Sequence, residues 1–244
     1  MPLQPLPDKR PSLSHDRIDL LATSLNIDSS ALEEGCALLS VDERERADRF
    51  RFPRHARRFI HARAFMRRTL SWYLDRDPAA LRFNYGPEGK PSLPFTISFN
   101  QSDSEELAVL AVTLSRQVGV DIESLRSIAN AEELAHRFFS PGETRDLMAI
   151  TEEERDRAFL ACWTRKEAYL KATGEGLTRP LSQFRVVVDP CLEPRLISVE
   201  LDPAEERRWS MAHLEPGVGY IGALVIEGRG ASVHWVDGPF VRSF

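Results

Sequence analysis

Residues Cys162–Leu177 read CWTRKEAYLKATGEGL, and the rest of the chain is organised around them. Read as a helix, the stretch places Trp163, Tyr169 and Leu170 on an apolar stripe. Glu167 and Lys171, four apart, project together from the neighbouring face. Gly174-Glu175-Gly176 then supplies a left-handed C-cap and a turn. A lone Glu-x-x-x-Lys pair is a common surface stabiliser. A second acidic cluster, Gly119-Val-Asp-Ile-Glu123, gives it another meaning: Asp121 and Glu123 are two apart in a β-like run and leave one face of the strand. Three carboxylates from a strand and a helix can gather around one hard divalent cation, and Lys171 beside them suits a phosphate.

The chain has 244 residues, 42% of them apolar, enough to bury a core as one large domain or two small ones. A formal net charge of -5 and 28% charged residues are ordinary values. No apolar run approaches membrane-spanning length, and Met1–Arg10, rich in proline, lacks an apolar signal core. The expectation is a cytoplasmic protein with a loose N-terminal arm and no membrane partner. Cys36, Cys162 and Cys191 are few, odd in number and in no zinc-like spacing, so they read as reduced thiols.

Outward from the centre, Asp16–Ser40 reads as a strand or irregular entry and a short helix over Ser29–Leu38. Ser40-Val-Asp-Glu43 has the form of a capping box that opens another helix. From Arg49 to Arg68 there are eight arginines, two histidines and no acid. Phe52, Ala56, Phe59, Met66, Leu70 and Tyr73 fit the inner stripe of a helix, and Arg54, Arg57, Arg58 and His61 an outer one. This island is either a solvated face or a polyanion site. The chain as a whole lacks the basic excess and aromatic interleaving of a nucleic-acid groove. Leu81–Tyr85 reads as a strand, Gly86-Pro-Glu-Gly-Lys90-Pro91 as a rigid turn open to a ligand, Phe95–Phe99 as a strand and Asn100–Glu106 as a polar loop. Leu107–Leu114 and Gly119–Ile122 are further strands. Asn130-Ala-Glu-Glu133 and Ser140-Pro-Gly-Glu143 are capping patterns, and Glu152–Lys171 is a long helix. Phe184–Val188, Leu196–Leu201, Arg208–His213 and Tyr220–Ile226 read as antiparallel strands, with Val233–Val236 a weak strand or an arm packing back. The order suggests a pseudo-duplicated α+β architecture with halves 1–115 and 116–244, although no letter-by-letter repeat is visible.

With G-V-D-I-E at 119–123, F-F-S-P-G-E at 138–143 and W-T-R-K-E-A-Y-L-K-A-T-G-E-G-L at 163–177, the chain resembles the Sfp-type 4'-phosphopantetheinyl transferases. Gly89-Lys90-Pro91 followed by Phe99-Asn100-Gln101-Ser102 matches that family's N-terminal signature, so the likeness spans roughly residues 40–190. The resemblance implies two α/β subdomains related by a pseudo-twofold axis, with coenzyme A and Mg2+ in the cleft between them. It implies that Asp121, Glu123 and Glu167 hold the metal and that Lys171 meets the pyrophosphate. Gly89, Lys90 and Pro91 would border the adenine, Ser102 would lie near the 3'-phosphate, and Arg46, Arg54 and Arg58 would bind phosphates. The implied partner is an apo acyl or peptidyl carrier protein, for which a monomeric enzyme suffices.

One position departs from the pattern: the family's F-N-x-S-H-S is F-N-Q-S-D-S here, placing Asp103 where a histidine contacts a coenzyme phosphate. An ionised carboxylate accepts but cannot donate, and repels phosphate. Asp103 therefore turns away, works through a water or the cation, or weakens coenzyme binding. In the implied reaction a carrier serine attacks the β-phosphorus of coenzyme A and 3',5'-ADP leaves. A cation and Lys171 suit the charge that grows on the pyrophosphate, and Glu167 is the candidate base for the serine. The alternatives are a non-catalytic binder of coenzyme A or carrier protein, motivated by Asp103, and a phosphoesterase using the same carboxylates.

Overall fold

In the computed structural model, residues 12–26, 28–200 and 202–236 are described; the expected N-terminal arm and position 201 lie outside them. The chain begins with β1 (Arg17–Ser24), followed by α1 (Ser29–Leu38), α2 (Val41–Asp48) and α3 (Pro53–Leu74). A short hairpin, β2 (Asn84–Tyr85) and β3 (Pro91–Ser92), leads to β4 (Ile97–Ser104) and β5 (Leu107–Leu114). The second half runs β6 (Val118–Ser124), α4 (Ala131–Phe138), α5 (Pro141–Met148) and α6 (Glu152–Thr173). The pair β7 (Phe184–Val186) and β8 (Leu196–Val199) follows, with one turn, α7 (Glu205–Arg208), before β9 (Trp209–Leu214) and β10 (Tyr220–Glu227). Finally β11 (Ser232–Trp235) returns to the first half and pairs in parallel with β1.

Both halves use one plan: a strand, three helices, a short two-stranded ribbon and two longer strands. The first half's sheet is ordered β1-β5-β4, with β11 added outside β1, and the second half's is β6-β10-β9. In each, the last strand lies between the first and the penultimate one, and the three are antiparallel. The duplication extends to buried charges. Ser40 and Glu43 form a capping box at α2, as Ser140 and Glu143 do at α5. Glu43 takes Arg67 Nε at 2.7 Å, and Glu143 takes Lys166 Nζ at 2.8 Å; Arg67 and Lys166 hold the same position in two 22-residue helices. Arg67 also donates to the carbonyls of Pro78 and Leu81, and Lys166 to those of Leu181 and Phe184. Each cation thus ties its long helix to the segment leading into the short ribbon.

Alternation along the first strands distributes three cores. Leu21 faces α3, where it meets Phe65, Met66 and Leu70. Ile18, Leu20 and Ala22 face the other way and pack with Val118, Val120, Ile122 and Leu224, so the sheets share a core between the halves. A third core gathers α6 (Tyr169, Leu170) against Phe184, Ile221 and Ala223.

Three expectations are corrected. Asn100–Ser104 continues β4 instead of forming a polar loop. The polar side chains arise because β4 is an edge strand: Asn100, Ser102 and Ser104 face β6 and accept the amide protons of Val120 (2.8 Å), Ile122 (3.3 Å) and Ser124 (3.1 Å). A side-chain zipper therefore joins the two sheets where backbone pairing stops. Second, His61 is buried, not on the outer face of α3, and Phe52 precedes the helix and is exposed. Third, Asn130 adopts a left-handed conformation (φ 64°) and makes no side-chain cap at α4.

Candidate active site

The site forms where α6 crosses β6. A Cβ on Gly119 would lie 2.1 Å from the Ala168 carbonyl oxygen and 2.4 Å from the Ala172 nitrogen. Only glycine lets the helix backbone approach this closely. The contact brings Glu167 and Lys171, on α6, over Asp121 and Glu123, on β6. Lys171 Nζ donates to Asp121 Oδ1 at 2.7 Å and to Ser102 Oγ at 3.0 Å, and Ser102 Oγ donates to Asp121 Oδ1 at 2.9 Å. Glu123 accepts from Ser104 Oγ (3.1 Å) and from the exposed Arg126 (2.8 Å).

The electrostatics of the group follow from its crowding. Burial raises the Asp121 carboxyl above the usual carboxylate range; Glu123 adds to the rise, and Lys171 and Ser102 oppose it. Burial also raises Glu167, reinforced by the negative charges of Asp121 and Glu123 and countered by Lys171. Glu167 therefore lies within electrostatic range of both acids. Among the described residues, no three carboxylates, imidazoles or thiolates stand ready as a ligand shell. Asp121 is turned to Lys171 and Glu123 to Arg126. The donor set nonetheless fits a hard divalent cation, since its oxygens are the preferred kind and a cation would relieve their mutual repulsion.

Beside this cluster, a cavity of about 410 Å³ opens between α2, α3 and β4. On β4, the face that buries Ile97 and Phe99 against α3 presents Gln101 and Asp103 farther along, and both line the cavity. Arg46, Arg58 and Arg63 bring positive charge, and Pro91 forms part of the wall. Asp103 is open to the cavity yet flanked by protein, and the loss of water raises its carboxyl; Lys171, Arg58 and Arg63 pull the other way. Asp103 thus lines the cavity within electrostatic reach of Arg58, Arg63 and Lys171. Glu105, at the tip of the β4–β5 turn, takes Arg58 at 3.0 Å.

Of the residues singled out from sequence, the structure gathers Asp121, Glu123, Glu167, Lys171 and Ser102 in one group and Arg46, Arg58, Pro91 and Asp103 around the adjoining cavity. Arg54 is exposed, bonds to His55 Nε2 and is not among the lining residues. Gly89 forms the tight turn with φ +77°. Lys90 directs its ammonium to two main-chain carbonyls. The sequence gives no individual role to Arg63 and His55, within the basic island, to Gln101, within the F-N-Q-S motif, or to Arg126. Spacing could have found the cavity wall, because His55, Phe59, Ala62 and Met66 recur at helical intervals and all line it.

The family profile described as the 4'-phosphopantetheinyl transferase superfamily matches residues 117–226, from the start of β6 into β10. The likeness extends well beyond that half. The chain is 37% identical over 224 residues to the 4'-phosphopantetheinyl transferase HetI of Nostoc sp., covering 90% of this chain and 91% of that protein. This chain belongs to the 4'-phosphopantetheinyl transferase superfamily. It is also 33% identical over 156 residues to the 4'-phosphopantetheinyl transferase Sfp of Bacillus subtilis, with 63% of this chain and 68% of Sfp aligned. The HetI alignment is long enough to take in both the arginine-lined cavity and the carboxylate cluster.

Proposed function

We propose that the chain transfers the 4'-phosphopantetheine moiety of coenzyme A to a serine of an apo carrier protein, releasing 3',5'-ADP. The observation that carries the reading is the meeting of Asp121, Glu123, Glu167 and Lys171 beside a cavity walled by arginines, in a chain of this family. Arg46, Arg58 and Arg63 suit the phosphates of the coenzyme, which the cavity admits next to the acids. Asp121, Glu123 and Glu167 would hold Mg2+, which when bound would neutralise charge on the pyrophosphate oxygens. Lys171 would turn from Asp121 toward the leaving group, adding a second positive charge. Glu167, beside the pyrophosphate site, would accept the proton of the incoming serine hydroxyl, directly or through a water. The protein's own contribution is then mostly positioning and electrostatics.

Intact-mass spectrometry on a panel of apo carrier proteins with coenzyme A and Mg2+ tests the reading. A carrier heavier by one phosphopantetheine is expected, and Glu167→Ala and Asp121→Ala should each lose the shift while keeping the folded spectrum. No shift on any carrier from fatty-acid, polyketide or peptide synthesis would defeat it. Asp103 on the cavity wall favours one second reading, a non-catalytic coenzyme or carrier binder. Calorimetric binding without turnover, with turnover restored by Asp103→His, would support that one instead. No described helix is long and apolar enough to cross a membrane. A cytoplasmic monomer acting without nucleic acid or membrane completes the proposal.

A further inference from the structure

The turn between β2 and β3 is built tightly: Gly86 N donates to Lys90 O at 3.0 Å, and Gly89 N to Gly86 O at 2.9 Å. It belongs to the first half, yet it lies against the end of α6. Lys90 Cδ is 3.8 Å from where a Cβ would stand on Gly174, and the Glu88 side chain is 2.7 Å from the corresponding point on Gly176. From this turn, Lys90 Nζ donates to Val118 O and to Ala172 O, each at 3.1 Å. Val118 is the first residue of β6, and Ala172 lies in the last turn of α6. These are the two segments that carry the acidic cluster and Lys171.

The chemistry of the contact is specific. The last four carbonyls of a helix have no donor within it, and positive charge is favoured at that end. Lys90 supplies both donor and charge for Ala172, the residue next to Lys171. Among the described residues, its acceptors are main-chain carbonyls and not carboxylates. Burial lowers the ammonium to about 8, an unfavourable placement for a lysine with only a surface role.

We propose that Lys90 is a positioning residue: its ammonium locks the end of α6 to the start of β6, keeping Lys171 aimed at Asp121 and Ser102. The role rests on the transferase reading and differs from contact with the coenzyme, because it acts through α6. Removing the clamp should disturb the reacting groups and leave coenzyme affinity largely intact.

The test uses the full chain and variants Lys90→Met, Lys90→Arg and Lys90→Gln. Turnover on a carrier is measured with the KM and calorimetric Kd for coenzyme A. For Lys90→Met, kcat should fall about tenfold or more while the coenzyme Kd stays within about twofold, since small displacements of reacting groups are costly. Lys90→Arg, which keeps charge and donors, should recover much of the loss. An increase in Kd at unchanged kcat would make Lys90 a ligand contact, and no change in either would remove the clamp; each overturns the proposal. Should Lys90→Met not fold, Lys90→Gln carries the comparison with the same outcomes. Amide hydrogen exchange gives a readout free of catalysis: residues 119–122 and 171–174 should exchange faster in Lys90→Gln than in the parent. Unchanged protection overturns the proposal even if the parent modifies no carrier, a result that would by itself count only against the transferase reading.

Discussion

Ser102 uses its whole hydrogen-bonding capacity inside the protein: it donates to Asp121 and accepts from Lys171 and from the Ile122 amide. A coenzyme phosphate near it must compete with these partners or displace Lys171. Ser102→Ala leaves the Ile122 amide without that acceptor and frees Lys171 from one anchor. The expected cost is about 1–3 kcal/mol of stability, read by denaturant titration, together with a lower kcat. A second residue-scale prediction concerns His61. Burial, then the nearby Arg68 cation, lowers its pKa to about 4, partly offset by the Ser24 main chain. The unfolded chain protonates near the ordinary value of 6.5. Between those limits the unfolded state binds the extra proton, so stability is full above pH 6.5 and is lost as pH falls toward 4. The contribution is about 3 kcal/mol. His61→Gln should flatten that part of a melting-temperature-versus-pH curve; an unchanged slope would mean that other groups produce it.

At the scale of elements, the crossing of α6 over β6 depends on a missing side chain. Gly119→Ala puts a methyl group into the Ala168 carbonyl, and the helix must lift away. Overpacking of this kind costs about 1–3 kcal/mol or more, and the lift carries Glu167 and Lys171 off Asp121. Near-complete loss of carrier modification, with a lower melting temperature, is expected; wild-type turnover would show that the close approach is dispensable. The element itself was legible, because the apolar stripe, the Glu167–Lys171 spacing and Gly174 define the second half of α6 without reference to anything distant. The capping boxes at Ser40 and Ser140 were equally local. The far end of β4 was not legible. Asn100, Ser102 and Ser104 are polar because they replace a backbone ladder with a side-chain zipper to β6, and that purpose is visible only once β6 lies alongside. His61 was misread for a similar reason: helical spacing gives a face, and only the packed structure shows whether that face is covered.

The whole molecule is a duplication that sequence comparison between the halves conceals. Arg67 and Lys166 differ in type, yet each bonds a capping-box glutamate and two carbonyls before or at the start of a short ribbon. The second half sets acids and Lys171 where α6 crosses β6, whereas α3 presents Arg58 and Arg63 to the cavity, and these different side chains conceal the letter-by-letter likeness. The architecture makes a prediction about cooperativity. Removing one partner of a buried ion pair costs about 3–5 kcal/mol, because the remaining charge stays in a dry interior. Arg67→Met leaves Glu43 in the first half with only the longer pair to Arg63 at 3.7 Å, and Lys166→Met strands Glu143 in the second. If the halves folded independently, each variant would unfold its own half first. The shared core of Ile18, Leu20, Val118, Val120 and Ile122 and the zipper from β4 to β6 oppose this, since neither half can open without exposing both. Both variants should therefore melt at lower denaturant in a single transition. Fluorescence of Trp72 in the first half and of Trp209 in the second, followed separately in single-tryptophan backgrounds, should coincide with the loss of helical circular dichroism. An earlier transition at Trp72 in Arg67→Met would show that the seam between the halves is weaker than its buried contacts require.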